Sequence, residues 1–307
     1  AIGNTYFRYY KLDNAAAITL TGQVAIRWIE RKINEFMNKT LGTSGVDYVI
    51  ASDTDSIYLN LGDLVGRVSP DGVLSSERIV EILNKLCQQK IEPFIATSCK
   101  ELSDYLQCYE ETLVMKRECI AERGIWTAKK RYILNVWDNE GVRYNEPSLK
   151  MMGIEAVKSS TPAPCRTYIK DCLKIVMNGT EDELIAYIED KKKHWFSLTP
   201  EEIGFPRTAN TVDKFFDSTT MYKKGTPMHV RGALMFNHYL KTKKLTTKYN
   251  LINPGEKIKY IYLKTPNPTG ENVISFISEL PRELNFNSFI DYDIMYRKGF
   301  LDPLQGI

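Results

Sequence analysis

The segment at residues 47–61 constrains the fold more than any other part of the sequence. Two short β-prone runs, 47–51 and 56–61, are separated by only a few small polar residues. Such runs on either side of a short polar stretch predict an antiparallel hairpin. The tip of this hairpin would carry two carboxylates, those of Asp53 and Asp55.

The two carboxylates at this turn are hard oxygen ligands presented at one point. Mg²⁺ is bound through one or two carboxylates, with substrate phosphates and water completing its octahedral shell. Two such ions about 3.5–4 Å apart can activate an attacking hydroxyl and stabilise a leaving pyrophosphate. An ordinary acidic surface turn is the competing interpretation, because Asp and Ser are common turn formers. The tetrapeptide 53–56 alone favours that ordinary turn.

Hydrophobic periodicity organises the rest of the first half as an α+β fold. Helices are predicted at about 14–37, 75–89 and 92–106, and strand-like sequence runs from 111 to 157, with a β-prone run at 127–137. In the first helix, apolar positions such as Ile18, Ala25, Ile29 and Ile33 suggest one buried stripe, and Asp13 or Asn14 can cap its start. We therefore expect helices packed against an antiparallel sheet.

The second half is predicted to be mainly helical. Small residues and two prolines at 159–164 mark a domain junction. Helices are expected at about 164–177, 180–195, 226–240 and 289–301, with two strands at 259–263 and 272–277. Thr180 and Glu183 have the spacing of a capping box. The predicted domains are 1–160 and 161–307.

The distribution of charge is more informative than the net charge of +3. Residues 221–264 contain ten Lys and Arg residues and a single acid, Glu256. A second basic cluster consists of Lys116, Arg117, Arg123, Lys129, Lys130 and Arg131. A solvated surface and a nucleic-acid contact explain such clusters about equally well.

The remaining composition excludes several classes of protein. No apolar run approaches the ~20 residues that a membrane-spanning helix needs, so no membrane partner is expected. The six cysteines form no C-x-x-C pair and no zinc-ligand pattern with the three histidines. They are interpreted as reduced thiols of a cytoplasmic protein.

Two motifs in order resemble a known family. Residues 48–58, Y-V-I-A-S-D-T-D-S-I-Y, resemble motif C of the family B (α-like) DNA polymerases, and 126–132, W-T-A-K-K-R-Y, resemble their K-K-R-Y motif at the expected distance. The T-even-phage type of replicative polymerase is the most similar group. Further similar stretches are 1–10, 152–162, 229–232 and 301–304, so the resemblance covers essentially the whole chain.

The resemblance implies a C-terminal palm and thumb. Residues 1–160 would be the palm, with the end of the fingers helix at its start, and 161–307 the thumb. The family's pattern implies that Asp55 is a direct metal ligand, that Asp53 has an auxiliary role, and that Glu118 is a palm carboxylate close to the metal site. It also implies primer contacts near the 3′ end by Lys130 and Tyr132. Further DNA contacts are predicted for Lys129, Arg131, His229 and Arg231.

The implied function is template-directed nucleotidyl transfer from a dNTP to a primer 3′-OH with two Mg²⁺ ions. The family's motif A, which supplies another metal-binding Asp, and its motif B, which grips the triphosphate, are not found in this sequence. The exonuclease region and the tail that binds a sliding clamp are also not found. We therefore expect the isolated chain to be inactive and to need an N-terminal polymerase portion, primer–template DNA and dNTP as partners. A phage-encoded protein would work in the bacterial cytoplasm.

Two other functions are compatible with these residues. A non-catalytic module that binds primer–template duplex would use the same basic clusters. A metal-dependent nuclease using Asp53 and Asp55 is the weaker alternative, because no further His or carboxylate cluster is evident for activating water.

Overall fold

The structure, a computed structural model, describes residues 2–307 and confirms the α+β class. Ala1, the first residue of the stretch compared with the polymerases, lies outside the described residues. Packing divides the chain into two units: the first runs to residue 122 and includes 135–148, and the second contains 123–134 and 149–307. The palm–thumb boundary at residue 160 is a functional division and stays a prediction.

The elements up to residue 152 comprise helices, one hairpin and one longer sheet. They are α1 (Leu12–Leu41), β1 (Val49–Asp53), β2 (Ser56–Leu59), α2 (Gly62–Val68), α3 (Ser76–Leu86), α4 (Glu92–Tyr105), β3 (Cys119–Ala128), β4 (Arg131–Asn139) and β5 (Val142–Met152). A π-helical turn, Cys87–Ile91, joins α3 directly to α4. Strands β3, β4 and β5 form a three-stranded sheet in that order.

The elements beyond residue 152 are mainly helical, as predicted, with one small sheet. They are α5 (Ala163–Asn178), α6 (Glu181–Trp195), α7 (Pro200–Ile203), β6 (Phe205–Thr208), α8 (Val212–Phe215), β7 (Phe216–Asp217), β8 (Met221–Tyr222), α9 (Met228–Thr242), β9 (Lys257–Tyr262), β10 (Val273–Phe276), α10 (Tyr292–Tyr296) and α11 (Asp302–Gln305). Strands β10, β9 and β6 pair antiparallel in that order.

Helix α1 is the main support of the first unit. Its buried residues, Ala25, Ile29, Ile33, Met37 and Leu41, recur every four positions and form one stripe, which packs with residues of β1 and α4. The predicted N-terminal cap is wrong, since the helix begins one residue before Asp13 and Lys11 occupies the cap position without a side-chain hydrogen bond. Ile18 also lies outside the stripe and is exposed.

The predicted acidic hairpin is confirmed as β1 and β2. Asp53 pairs with Ser56, so only Thr54 and Asp55 form the turn. The Asn34 side chain on α1 ties down the entry to the hairpin: its Oδ1 accepts the backbone N–H groups of Tyr48 at 2.8 Å and Val49 at 3.1 Å. The helix therefore fixes the position of the strand that ends in Asp53.

The β-prone run at 127–137 covers the end of one strand and most of the next. Strand β3 ends at Ala128 and β4 begins at Arg131, with a two-residue turn between them. Lys130 adopts a positive φ of 60° in this turn. A tight turn between long strands needs a left-handed residue, and the sequence contains no Gly or Asn here to signal it.

The core of the second unit lies between its helices and the β10–β9–β6 sheet. Trp195 is fully buried and donates from Nε1 to the Tyr292 carbonyl at 2.9 Å. The predicted capping box of Thr180 and Glu183 is present at the start of α6. Helix α9 approaches β10 closely at Gly232, where a Cβ would lie 2.5 Å from Ser275 Oγ and 2.8 Å from its backbone nitrogen.

Substitution of Gly232 by Ala should destabilise the second unit. The added methyl would press on the backbone of β10, and overpacking of this kind costs roughly 1–3 kcal/mol. The matched control is Gly22→Ala in α1, where no atom lies within 4 Å of the added Cβ. That change should stabilise the helix by about 0.5–1 kcal/mol. Urea unfolding followed by circular dichroism checks both; a midpoint for Gly232→Ala at or above wild type would contradict this account.

The six cysteines should differ sharply in reactivity. All are free thiols. Burial raises the pKa of Cys165 and of Cys172 to about 12, whereas Cys108 is exposed. Because the thiolate is the nucleophile, iodoacetamide should label Cys108 in the native protein and spare Cys165 and Cys172. Peptide mass spectrometry measures this, with guanidinium-unfolded protein as the control; equal native labelling rates would refute the packing described.

Candidate metal-binding hairpin and nucleic-acid contacts

The turn of the acidic hairpin is held by its own hydrogen bonds. Thr54 takes a positive φ of 43°. Its hydroxyl donates to Asp53 Oδ1 at 3.0 Å, and the Ser56 hydroxyl donates to the Asp53 carbonyl at 3.2 Å. Asp53 is half-buried while Asp55 is exposed. The turn thus presents the Asp55 carboxylate to solvent and engages one oxygen of Asp53 internally.

A further carboxylate, which sequence reasoning missed, lies beside the hairpin. Glu30 on α1 accepts from the Ser52 hydroxyl at 3.5 Å. Its only sequence signal is its place next to the buried Ile29, which puts it near the face of α1 that packs on β1. Two elements therefore contribute acidic side chains to this end of the hairpin.

Glu118 is exposed and directly precedes β3. Its neighbour Arg117 fixes this segment, because the Arg117 guanidinium forms an ion pair with the buried carboxylate of Asp138 and donates to Asn84 Oδ1 at 2.8 Å. The Arg117 backbone N–H also donates to Glu92 at 2.9 Å. The position of Glu118 is thus set by a largely buried polar network.

A complete metal site is not assembled by these residues. Among the side chains that the structure describes, no group of three or more from His, Cys, Asp or Glu is placed to hold a metal ion. Asp53, Asp55 and Glu118 therefore do not form one ligand group. The aspartate pair nevertheless has the right chemistry for Mg²⁺, which uses one or two protein carboxylates and takes its other oxygens from elsewhere.

The predicted primer-contacting residues have different surroundings. Lys129 and Lys130 form the turn between β3 and β4 and are exposed. Arg131 pairs with Glu155, its Nη2 lying 2.8 Å from Oε2. Tyr132 is only 8% exposed, and its ring centre lies 6.4 Å from that of Trp126. The two lysines are thus the residues of this motif that the turn presents to solvent.

Half of the second basic cluster, the three arginines among residues 116–131, bonds within the protein. Arg117 and Arg131 have the carboxylate partners described above, and Arg123 donates from Nη1 to the Met177 carbonyl at 2.6 Å. The lysines Lys116, Lys129 and Lys130 are exposed. The charge run in the sequence therefore overstates the basic surface, because Arg117 and Arg131 are paired with carboxylates.

The surroundings of both predicted phosphate contacts on α9 reduce their positive charge. Burial, together with the nearby charge of Arg207, lowers the pKa of His229 below its usual 6.5, so the imidazole is neutral at pH 7. Arg231 donates to Asn272 Oδ1 at 2.7 Å and lies 3.5 Å from a carboxylate oxygen of Glu271. A phosphate contact by either residue stays a prediction, weakened by this partial neutralisation.

No helix within residues 2–307 combines the length and the apolar character needed to cross a membrane.

Comparison with protein-family models gives no match. The DNA-directed DNA polymerase of Enterobacteria phage T4 is 36% identical over 319 residues, covering 100% of this chain and 35% of that protein. The DNA-directed DNA polymerase of Escherichia phage RB69 is 35% identical over 323 residues, again covering 100% and 35%. A DNA polymerase beta of African swine fever virus is 26% identical over 161 residues, which is 51% of this chain and 13% of that protein.

The chain thus spans about a third of the length of the phage relatives that it matches, and the match extends over all of its residues. Identity of this level over more than 300 aligned residues, together with the ordered motifs at 48–58 and 126–132, leaves little room for chance. The similarity over the whole chain to these two phage proteins supports a T4-type DNA-directed DNA polymerase as its family.

Proposed function

We propose that the chain is the C-terminal palm and thumb part of a family B replicative DNA polymerase that transfers a nucleotide from a dNTP to a primer 3′-OH. The observation that carries the proposal is the acidic hairpin, a two-residue turn that presents Asp55 in a polymerase-like sequence context. The full-length similarity to two phage polymerases supports the same reading.

Asp55 and Asp53 would hold Mg²⁺ at this hairpin. Bound magnesium supplies activation of the primer hydroxyl and stabilisation of the departing pyrophosphate. The chain's own contribution is positioning. Asn34 fixes the start of β1, and the Thr54 hydroxyl occupies one oxygen of Asp53. Asp53 is then suited to an auxiliary role and Asp55 to direct ligation, with Glu118 as a further acid.

The exposed turn formed by Lys129 and Lys130, called the lysine turn below, would contact the primer–template duplex. A lysine ammonium can donate to minor-groove acceptors, which every base pair carries, so it checks pairing without reading sequence. It can equally bind phosphates, a contact that positions the duplex and weakens with salt. Tyr132, being buried beside Trp126, would act mainly by supporting the start of β4.

On this proposal, catalysis needs more metal ligands than the Asp53 and Asp55 pair provides. Phosphoryl transfer depends on carboxylates, metal ions and a grip on the triphosphate acting together. The missing carboxylate and the triphosphate-binding residues would come from the polymerase segments that carry motifs A and B. On this proposal the isolated chain incorporates no nucleotide, and activity appears when that portion is added.

The lysine turn also supports a second function, that of a non-catalytic duplex-binding module. Both functions require salt-dependent binding of duplex DNA. A primer-extension assay with Mg²⁺ distinguishes the two functions. In it, the chain is combined with the polypeptide that corresponds to the rest of a T4-type polymerase. Extension by the mixture supports the polymerase, and binding without extension supports the module.

In that combined enzyme, Asp55→Ala should reduce nucleotide incorporation on the order of 100-fold or more. Several kcal/mol of transition-state charge stabilisation depend on the metal that this carboxylate would hold. Asp55→Asn should lose a similar amount, because it keeps the shape and removes the charge. Extension of a labelled primer measures the rate. Asp104→Ala, which removes an exposed acid on α4, is the control; near-normal activity of Asp55→Ala would exclude the metal role.

The double variant Lys129→Ala/Lys130→Ala should bind duplex DNA more weakly and with less salt dependence. Each phosphate contact contributes about 0.9 to the slope of log K against log salt, so losing two should lower the slope by roughly 2. Fluorescence anisotropy of a labelled primer–template measures both quantities. Lys192→Ala/Lys193→Ala removes another adjacent pair of exposed lysines, on α6, and controls for net charge. An equal loss in both double variants would argue against a specific contact.

A further inference from the structure

The lysine turn packs against a second turn of the same unit, at residues 153–158. Gly153, at a positive φ of 68°, approaches it so closely that a Cβ there would lie 2.3 Å from the Lys130 carbonyl oxygen and 3.0 Å from Arg131 Cγ. No side chain fits at that separation, and backbone cannot move aside cheaply. The left-handed conformation independently favours glycine at this position.

Glu155 continues the contact two residues further along. One of its carboxylate oxygens accepts from Arg131 Nη2 at 2.8 Å, and the other accepts from Lys158 Nζ at 2.7 Å. Burial of Glu155 opposes ionisation, but the Lys158 hydrogen bond, a backbone hydrogen bond and the charges of Arg131 and Lys158 together lower the pKa of the carboxyl below its usual value. The group is therefore charged at neutral pH and restrains the first residue of β4.

The segment between these two residues is anchored in the core. Ile154 is fully buried among the apolar residues of the second unit. A short 3₁₀ turn, Glu155–Val157, follows it, and the Lys158 N–H donates to the Glu155 carbonyl at 3.2 Å. This segment is thus anchored in the core at Ile154, lies against the turn of Lys129 and Lys130 at Gly153, and bonds to Arg131 through Glu155.

We propose that Gly153 and Glu155 are positioning residues that hold the Lys129–Lys130 turn in the geometry needed to engage duplex DNA. The proposal rests on the DNA-contacting role proposed above for these lysines. Lysine side chains are flexible, and ordering them on a ligand is costly. A fixed turn backbone reduces that cost because fewer degrees of freedom are lost when the DNA binds.

The variant Glu155→Gln tests this role, because simple charge and positioning predict opposite results. Removing a negative charge beside a basic turn should strengthen binding to DNA if only electrostatic attraction matters. Loss of positioning should instead weaken duplex binding about 3- to 10-fold, which is the effect of releasing one or two ordered side chains. Fluorescence anisotropy with a labelled primer–template measures the affinity. Glu146→Gln, at an exposed position on β5, is the charge-matched control and should leave affinity unchanged or slightly higher.

A double-mutant cycle separates positioning from a general loss of stability. In the Lys129→Ala/Lys130→Ala background, Glu155→Gln should cause no further loss, because the residues that it positions are gone. Gly153→Ala should weaken binding in the same way in the wild-type background and have no effect without the lysines. Thermal unfolding by circular dichroism confirms that each variant is folded at the assay temperature.

The outcomes distinguish failure of the positioning role from failure of the proposed DNA contact. If Lys129→Ala/Lys130→Ala binds duplex as well as wild type does, the proposed DNA contact fails and the positioning role fails with it. If that variant binds weakly while Glu155→Gln binds as well as wild type or better, only the positioning role is overturned. An equal loss from Glu155→Gln with and without the lysines also overturns it, since the effect would then be structural.

Discussion

The acidic hairpin depends on the hydrogen bonds made by the side-chain amide of Asn34. Its oxygen accepts two successive backbone N–H groups at the entry to β1, and its nitrogen donates to Asp47 Oδ1 at 2.7 Å. These bonds connect a 30-residue helix to a hairpin with a two-residue turn. A two-stranded ribbon is marginally stable by itself, so the helix provides the fixed frame. The position of Asp55 follows from that frame and from the Asp53–Ser56 register.

The parts of this fold that the sequence predicts well are those with strong periodicity. The four-residue recurrence of apolar positions identified α1, and the capping box at Thr180 identified the start of α6. The acidic hairpin was predictable because small polar residues separate two apolar runs. Its turn was not predictable to the residue, since Thr54 adopts a positive φ that its type does not signal.

The lysine turn shows why sequence pattern was insufficient elsewhere. The β-prone run at 127–137 contains no turn signal, since neither Lys129 nor Lys130 is a usual turn residue. A second turn, at Gly153, lies against the backbone of this turn. Such a contact joins residues more than 20 positions apart, so local propensity cannot report it. The same holds for the arginines, whose partners Asp138 and Glu155 are distant in sequence and convert an apparent basic surface into internal ion pairs.

The close approach of α9 to β10 has a consequence for motion within the second unit. Ser275 is fully buried and donates to the His229 carbonyl at 2.8 Å, one turn of helix before Gly232. With a hydrogen bond at one turn and backbone nearly touching at the next, the helix cannot roll or slide across the sheet without breaking both. A displacement of α9 would therefore carry β10 with it.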